Sequence, residues 1–409
     1  MLSQQTAGMN TITRNGAISY TWSMQKIGQQ EANTERLLKG LIGIYGTSPT
    51  CFLSLAARIG GFRTEALDEA LYFRRTIARI RSMRGSLFLI HKDLLPMVFQ
   101  STRHITVSAF QRIVSKYGVS DREYDRTSNE IADLLTARCM TVAEIRKALK
   151  SKPQAVERSL NYIVARMCAE GILTRARVRG GWKSDLFEYT RFDHWFPDVD
   201  LESSSPVTAQ ASLAAYYFKS FGPATAQDFH WWSGLSKQEA ERAISSLENK
   251  IEKVSINGSD LTYLIIKSDL DKLLLCTDQR VTAIALLPAW DGYIMGYKFR
   301  SHYLPEKWAD FIYDKSGNST SVVMIEGSAG GIWDMEPKGV ELNVKIALFE
   351  RGNQITWDEL KLQAEGLGEI FGFERITVSD CELPSVPLKK AAQNRFLSPL
   401  AGAKGKVLT

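Results

Sequence analysis

At 409 residues the chain is too long for one ordinary hydrophobic core and requires about two to four domains. With 44% hydrophobic and 23% charged residues it has a soluble globular composition, and no apolar run approaches the roughly 20 residues of a bilayer span. The formal charge of +6 favours a polyanionic partner, while five scattered cysteines and five dispersed histidines supply no C-x-x-C or H-E-x-x-H spacing, so no metal or cofactor is expected.

The opening residues, MLSQQTAGMNTITRNG, lack a basic flank followed by an apolar stretch, so the chain is expected to remain in the cytoplasm. Over residues 33–130, Cys51–Ile59 and Ala66–Ile80 carry helical apolar spacing, and Gly60-Gly61 parts them as a tight turn. RSMRGSLFLI then turns strand-like, which predicts a degenerate winged helix. Arg58, Arg63, Arg74, Arg75, Arg79, Arg81 and Arg84 form the densest basic stretch and are expected on and around one helix.

Residues 131–200 give the clearest unit. TVAEIRKAL and QAVERSLNYIVARMCAEGIL are amphipathic helices separated by SKP, and TRARVRGGWKSDLFEYTRF is a hairpin turning at Gly180-Gly181. Helix, turn, helix and hairpin is the winged-helix order. Arg175, Arg177 and Arg179 alternate along one strand, which predicts three guanidinium groups on one face for phosphates, with Trp182 and Lys183 near the tip for sugar or bases. The order recurs over 205–275, where Ser236 and Glu239 have capping-box spacing and Asn257-Gly258 turns the hairpin. The mixed charge of that unit's third helix suits packing against neighbours better than reading phosphates. Residues 276–384 change to short strand-like runs and predict a β-rich domain, and the tail, 385–409, is expected to fray.

Three further stretches carry a family resemblance: RSMRGSLFLIHKDLL at 81–95, LLPAWDGYIMGYKFRSHYL at 286–304 and MIEGSAGGIWDME at 324–336. With the winged helices they make the chain resemble the AlkZ/YcaQ-like DNA glycosylases from about Arg36 to Arg375. The resemblance implies an α+β fold in which tandem winged helix-turn-helix domains form a C-shaped DNA cleft. It also implies release of a modified base from double-stranded DNA. Glycosylases of this family place a glutamine, one residue, then a glutamine or aspartate before a proline. This chain has Tyr45, Gly46 and Thr47 there, and Phe88 where the family often has histidine.

Hydrolysis of an N-glycosidic bond needs a group to place water and a negative group to stabilise the cationic sugar. Tyr45 and Thr47 can orient water, but neither hydroxyl is a general base near neutral pH. Asp291, in the best-matching motif, is the candidate carboxylate, with a turn-forming Asp before Gly292 as the alternative. Lys298 and Arg300, together with Arg84 and Ser86 of the RGSLF stretch, are expected to hold DNA phosphates around an extruded nucleotide. The resulting expectation is a monomeric, metal-free glycosylase for an alkylated, bulky or phage-modified base. An inactive winged-helix DNA-binding protein or transcription regulator is the alternative, and the basic stripe weighs against a purely structural protein.

Overall fold

The computed structural model describes residues 9–149, 152–352, 354–391 and 396–408. The first eight residues, where a leader was sought, Lys150 and Ser151 at the predicted helix break, and parts of the tail lie outside these. Helix Thr34–Leu41 starts where the Asn33 side chain accepts a hydrogen bond from the Arg36 amide, satisfying one of the donors that a helix start leaves free. Strand Ile44–Tyr45, helix Thr50–Ala56, helical stretch Thr64–Phe73 and hairpin Ile77–Arg81/Leu87–His91 follow. The strand order puts Ile44–Tyr45 against Leu87–His91 and the latter against Ile77–Arg81.

The same sequence of elements recurs in Asp121–Leu134, Met140–Thr141, Val142–Ala148, Gln154–Ala169 and the hairpin Leu173–Arg179/Leu186–Arg191. Two capping boxes, Ser120 with Glu123 and Thr141 with Glu144, start the first two of these helices. The core of this unit joins Tyr124 and Ile131 to Ile145, Leu160 and Ile163. A domain edge at 130/131 therefore cuts through helix Asp121–Leu134, whose Tyr124 and Ile131 both belong to the core of this unit. Helix Leu95–Lys116, 22 residues long, precedes it and packs on helices Gln154–Ala169 and Pro206–Phe221.

The third recurrence is Pro206–Phe221, Ala226–Ser233, Lys237–Ser245 and the hairpin Ile251–Ile256/Tyr263–Ile266. Ser236 and Glu239 make the capping box their spacing predicts. Unforeseen in sequence, strand Asn10–Ile12 joins this hairpin in parallel with Val254–Ile256. Helix Arg14–Met24 then returns across helix Pro206–Phe221.

The β-rich region is one six-stranded sheet in chain order: 284–287, 322–325, 328–338, 341–348, 375–381 and 405–408. All pairings are antiparallel except 341–348 with 375–381, where a parallel step needs a crossover. Helix Gln354–Phe371 makes that crossover and buries Leu360, Ala364 and Leu367 on the sheet. Its Gly368 permits the close approach, since a Cβ there would lie 2.2 Å from Ile376 Cγ1. The tail does not fray as expected among its described residues: Phe396 and Leu400 are buried, and Gly405–Leu408 pairs with Val378–Cys381 as the edge strand.

Candidate active site

Tyr45 lies opposite Phe88 in the first sheet, with ring centroids 4.6 Å apart. The close backbone needs Gly46, whose added Cβ would meet the Phe88 carbonyl carbon at 3.0 Å. Burial pushes the Tyr45 phenol above its ordinary pKa, against the opposing pull of Arg84 and a hydrogen bond with Ser86. The phenol therefore stays protonated near neutral pH. Two residues on, the Thr47 hydroxyl is buried and has no protein partner, and neither has that of Ser48. Such groups cost free energy unless something fills their hydrogen bonds.

Tyr45 and Thr47 line a cleft of about 430 Å³. Its walls come from four places: the strand end at Tyr45 and Thr47, the first hairpin's turn at Arg81–Leu87, the second hairpin at Arg175–Tyr189, and the sheet-side residues Trp290, Met295 and Asn318. Asp185, exposed at the rim of this cleft, accepts a 3.1 Å hydrogen bond from the Ser48 amide. A carboxylate thus stands one residue from Thr47 across a contact spanning 137 positions in sequence. No local motif marks Asp185, which is why sequence reasoning missed it.

Three guanidinium groups share the cleft: Arg81, Arg84 and Arg175. None has a carboxylate within ion-pair distance among the described residues. Arg81 donates to the Gly85 carbonyl at 2.9 Å, and Arg175 to the Arg79 carbonyl at 3.5 Å. Burial, then the nearby positive charge of Arg175, pulls the Arg81 pKa down. Arg84 sits at φ +54° in the tight turn Met83–Gly85, a left-handed conformation costly for a residue with a Cβ. There its guanidinium lies 4.0 Å from the Trp231 ring centroid. Arg300 approaches Trp231 at 5.1 Å and Tyr313 at 3.7 Å, so it flanks that turn but does not line the cleft.

The expected stripe Arg175, Arg177, Arg179 does not form. Arg175 pairs in register with Tyr189 and Arg177 with Glu188, so Ala176 is an extra residue that bulges the strand. One extra residue reverses the alternation. Arg175 turns into the cleft while Arg177 and Arg179 are exposed on the other face, Arg179 bound to Glu144 and Glu188. Trp182 is not a free tip either: its ring packs 4.2 Å from Phe371, and Lys183 lies over Phe373 at 5.2 Å, fastening the hairpin to the sheet domain.

Asp291 is displaced from the cleft altogether. It is fully buried and accepts from Arg58 Nη1 and Nη2 at 2.7 and 2.8 Å, Ser54 Oγ at 2.8 Å and the Tyr293 amide at 2.9 Å. No lone pair is left to activate water. The pair also breaks up the predicted basic helix face, since Arg58 turns to the core while Arg74 meets Glu35 and Arg75 stacks on Trp195. The motif around Asp291 joins the units: Tyr297 donates to the Phe221 carbonyl, Tyr217 to the Gly296 carbonyl, and the amides of Lys298 and Phe299 to Asp228. The Lys298 side chain itself is exposed. Among the described residues no group of three or more His, Cys, Asp or Glu is placed to hold a metal ion, and no helix is long and apolar enough to cross a membrane.

Residues 38–370 match the family model described as DNA glycosylase AlkZ-like, and the chain belongs to the AlkZ-like DNA glycosylase family. Among solved structures it is similar to the Streptomyces sahachiroi DNA glycosylase AlkZ, with a TM-score of 0.74 and 17% identity over 90% of this chain and 99% of that one. That likeness is one of α+β fold. No curated protein matches the sequence.

Proposed function

We propose that the protein is a monofunctional DNA glycosylase that hydrolyses the bond between a modified base and deoxyribose in double-stranded DNA, using Tyr45, Thr47 and Asp185 rather than Asp291. The three repeated helix-and-hairpin units read as winged helices, and the hairpins of the first two, with residues Trp290, Met295 and Asn318, wall a cleft for one extruded nucleotide. The observation that carries the reading is the anchoring of Asp185 by the Ser48 amide beside an unpartnered Thr47 hydroxyl.

In this reading Thr47 and Asp185 hold a water below C1′. As the C1′–N bond breaks, its electron pair leaves with the base and the sugar gains positive charge, which the Asp185 carboxylate stabilises. The water oxygen bonds to C1′ and its proton passes to Asp185. Tyr45, protonated through burial, positions the nucleotide. Arg84 and Ser86, on the cleft wall, hold the extruded nucleotide, and Arg300 and Lys298, outside it, hold the flanking DNA phosphates. The modified base is an alkylated, bulky or phage-made one, and the role is genome protection or phage defence.

The test is incubation of duplexes carrying alkylated, adducted and phage-type bases, followed by hot alkali to break abasic sites. At least one duplex should yield breaks and free base. Intact strands throughout, with gel shifts still present, would leave a DNA-binding protein without catalysis.

A further inference from the structure

The charges in the cleft carry information about what enters it. Arg81, Arg84 and Arg175 line one cavity with Asp185, and among the described residues none of the three has a carboxylate within ion-pair distance. Arg175 is more than nine-tenths buried, and its Nε, Arg81 Nε and Arg84 Nη1 are buried without a hydrogen-bond partner, as is the Thr47 hydroxyl. Arg79, behind them, is also buried, and its guanidinium meets Cys51 Sγ, the Phe187 ring and the Tyr72 hydroxyl in the field of Asp68. Against these cations the wall carries one carboxylate, Asp185, which accepts from the Ser48 amide.

Like charges gathered in a partly dry cavity repel one another, and buried donors without acceptors add to that cost. Two other devices hold the arrangement in place against it: the bulge at Ala176 that turns Arg175 inward and the strained turn that stacks Arg84 on Trp231. Guanidinium forks lining one space suit a carboxylate or phosphate, whose oxygens accept in pairs. A cationic N-alkylpurine would add a further positive charge to the same space.

Resting on the glycosylase reading above, we propose that the substrate group entering this cleft is an oxyanion, held by Arg81, Arg84 and Arg175, and that cationic alkylpurines are disfavoured. The oxyanion is either a carboxylate-type substituent on the modified base or a phosphate of the extruded nucleotide. Both bring two acceptor oxygens to the cavity that the three guanidinium groups line. An acidic base also departs with negative charge, which the same three cations stabilise.

The experiment reads binding, so it is independent of turnover. Fluorescently labelled duplexes of one sequence carry cytosine, 5-carboxycytosine or 7-methylguanine opposite an abasic analogue, and a fourth carries cytosine flanked by methylphosphonates. Dissociation constants are measured by anisotropy for the wild type, Arg175→Gln, Arg84→Gln and the opposite-face control Arg177→Gln. The proposal expects 7-methylguanine to bind more weakly than cytosine. If the base carries the oxyanion, 5-carboxycytosine binds about tenfold or more tighter than cytosine. That preference falls in Arg175→Gln and Arg84→Gln and persists in Arg177→Gln. If the oxyanion is a phosphate, carboxylation has no effect, while methylphosphonates cost the wild type about tenfold and cost the two cleft variants much less. Arg84→Gln, in a turn rather than a core, keeps the test open should Arg175→Gln fail to fold. The proposal is overturned if 7-methylguanine binds at least as tightly as cytosine, or if neither modification is sensed through Arg84 or Arg175. Absence of base release from every duplex in the alkali assay would sink the glycosylase reading while leaving this binding result standing.

Discussion

Replacing Asp291 separates a structural carboxylate from a catalytic one. In the folded protein its two oxygens take four hydrogen bonds, two from Arg58, and both side chains of the pair have no exposed surface. Removing one partner of a buried pair costs about 3–5 kcal/mol, because the other charge is left uncompensated. Asp291→Asn keeps the volume and one acceptor, so about 3 kcal/mol is expected. Asp291→Ala adds the loss of the Ser54 and Tyr293 contacts, about 1 kcal/mol each, and should approach 5 kcal/mol. Arg58 retains only its bonds to the carbonyls of Gln25 and Ser54. Adding Arg58→Met to Asp291→Asn should therefore recover roughly 2 kcal/mol, since no unpaired cation then remains. The assay is urea denaturation followed by circular dichroism, with base release measured per folded molecule. Folded Asp291→Asn should release base within about tenfold of wild type. A variant with an unshifted urea midpoint and no base release would refute this reasoning and return Asp291 to the chemistry.

The other expectations concern the cleft and its neighbours. Asp185→Asn should lower base release by about 10²–10⁴-fold while gel-shift affinity stays near wild type, the behaviour of a lost acid–base group. Thr47→Ala should lower it by about tenfold, and Tyr45→Phe should leave the pH profile unmoved because burial already keeps the phenol protonated. Asp334, buried beside the tail and accepting from the Met335 and Leu400 amides, has its pKa pushed up to about 6 by burial. Between about pH 4 and pH 6 the folded protein thus holds a proton that the unfolded chain has released, so this group's contribution falls as pH rises through that window. The full penalty above it is roughly 3 kcal/mol. Thermal melts should find Asp334→Asn more stabilised relative to wild type at pH 8 than at pH 4; an equal difference at both would contradict the assignment.

The repeated helix-and-hairpin order was legible in sequence because it is written locally, in apolar periodicity, capping pairs such as Ser236 with Glu239, and glycine turns. What failed was everything decided between distant segments. Alternation placed three arginines on one face, but a single bulged residue, Ala176, divides them, and no side-chain pattern announces a bulge. Asp291 was singled out by its motif, yet its partner Arg58 is 233 residues away and was read as part of a basic surface. Asp185 carried no signal at all, since its role depends on one hairpin reaching the Ser48 amide of another unit. Tyr45 and Thr47 were found because a family pattern indexes that position, and the structure puts both on the cleft wall.

The most direct test of the account is single-turnover base release by wild type, Asp185→Asn and Asp291→Asn on whichever duplex the alkali assay selects. The account predicts that Asp185→Asn binds the duplex and scarcely releases the base, while folded Asp291→Asn releases it at close to the wild-type rate. The reverse pattern, with Asp185→Asn active and folded Asp291→Asn silent, would contradict it.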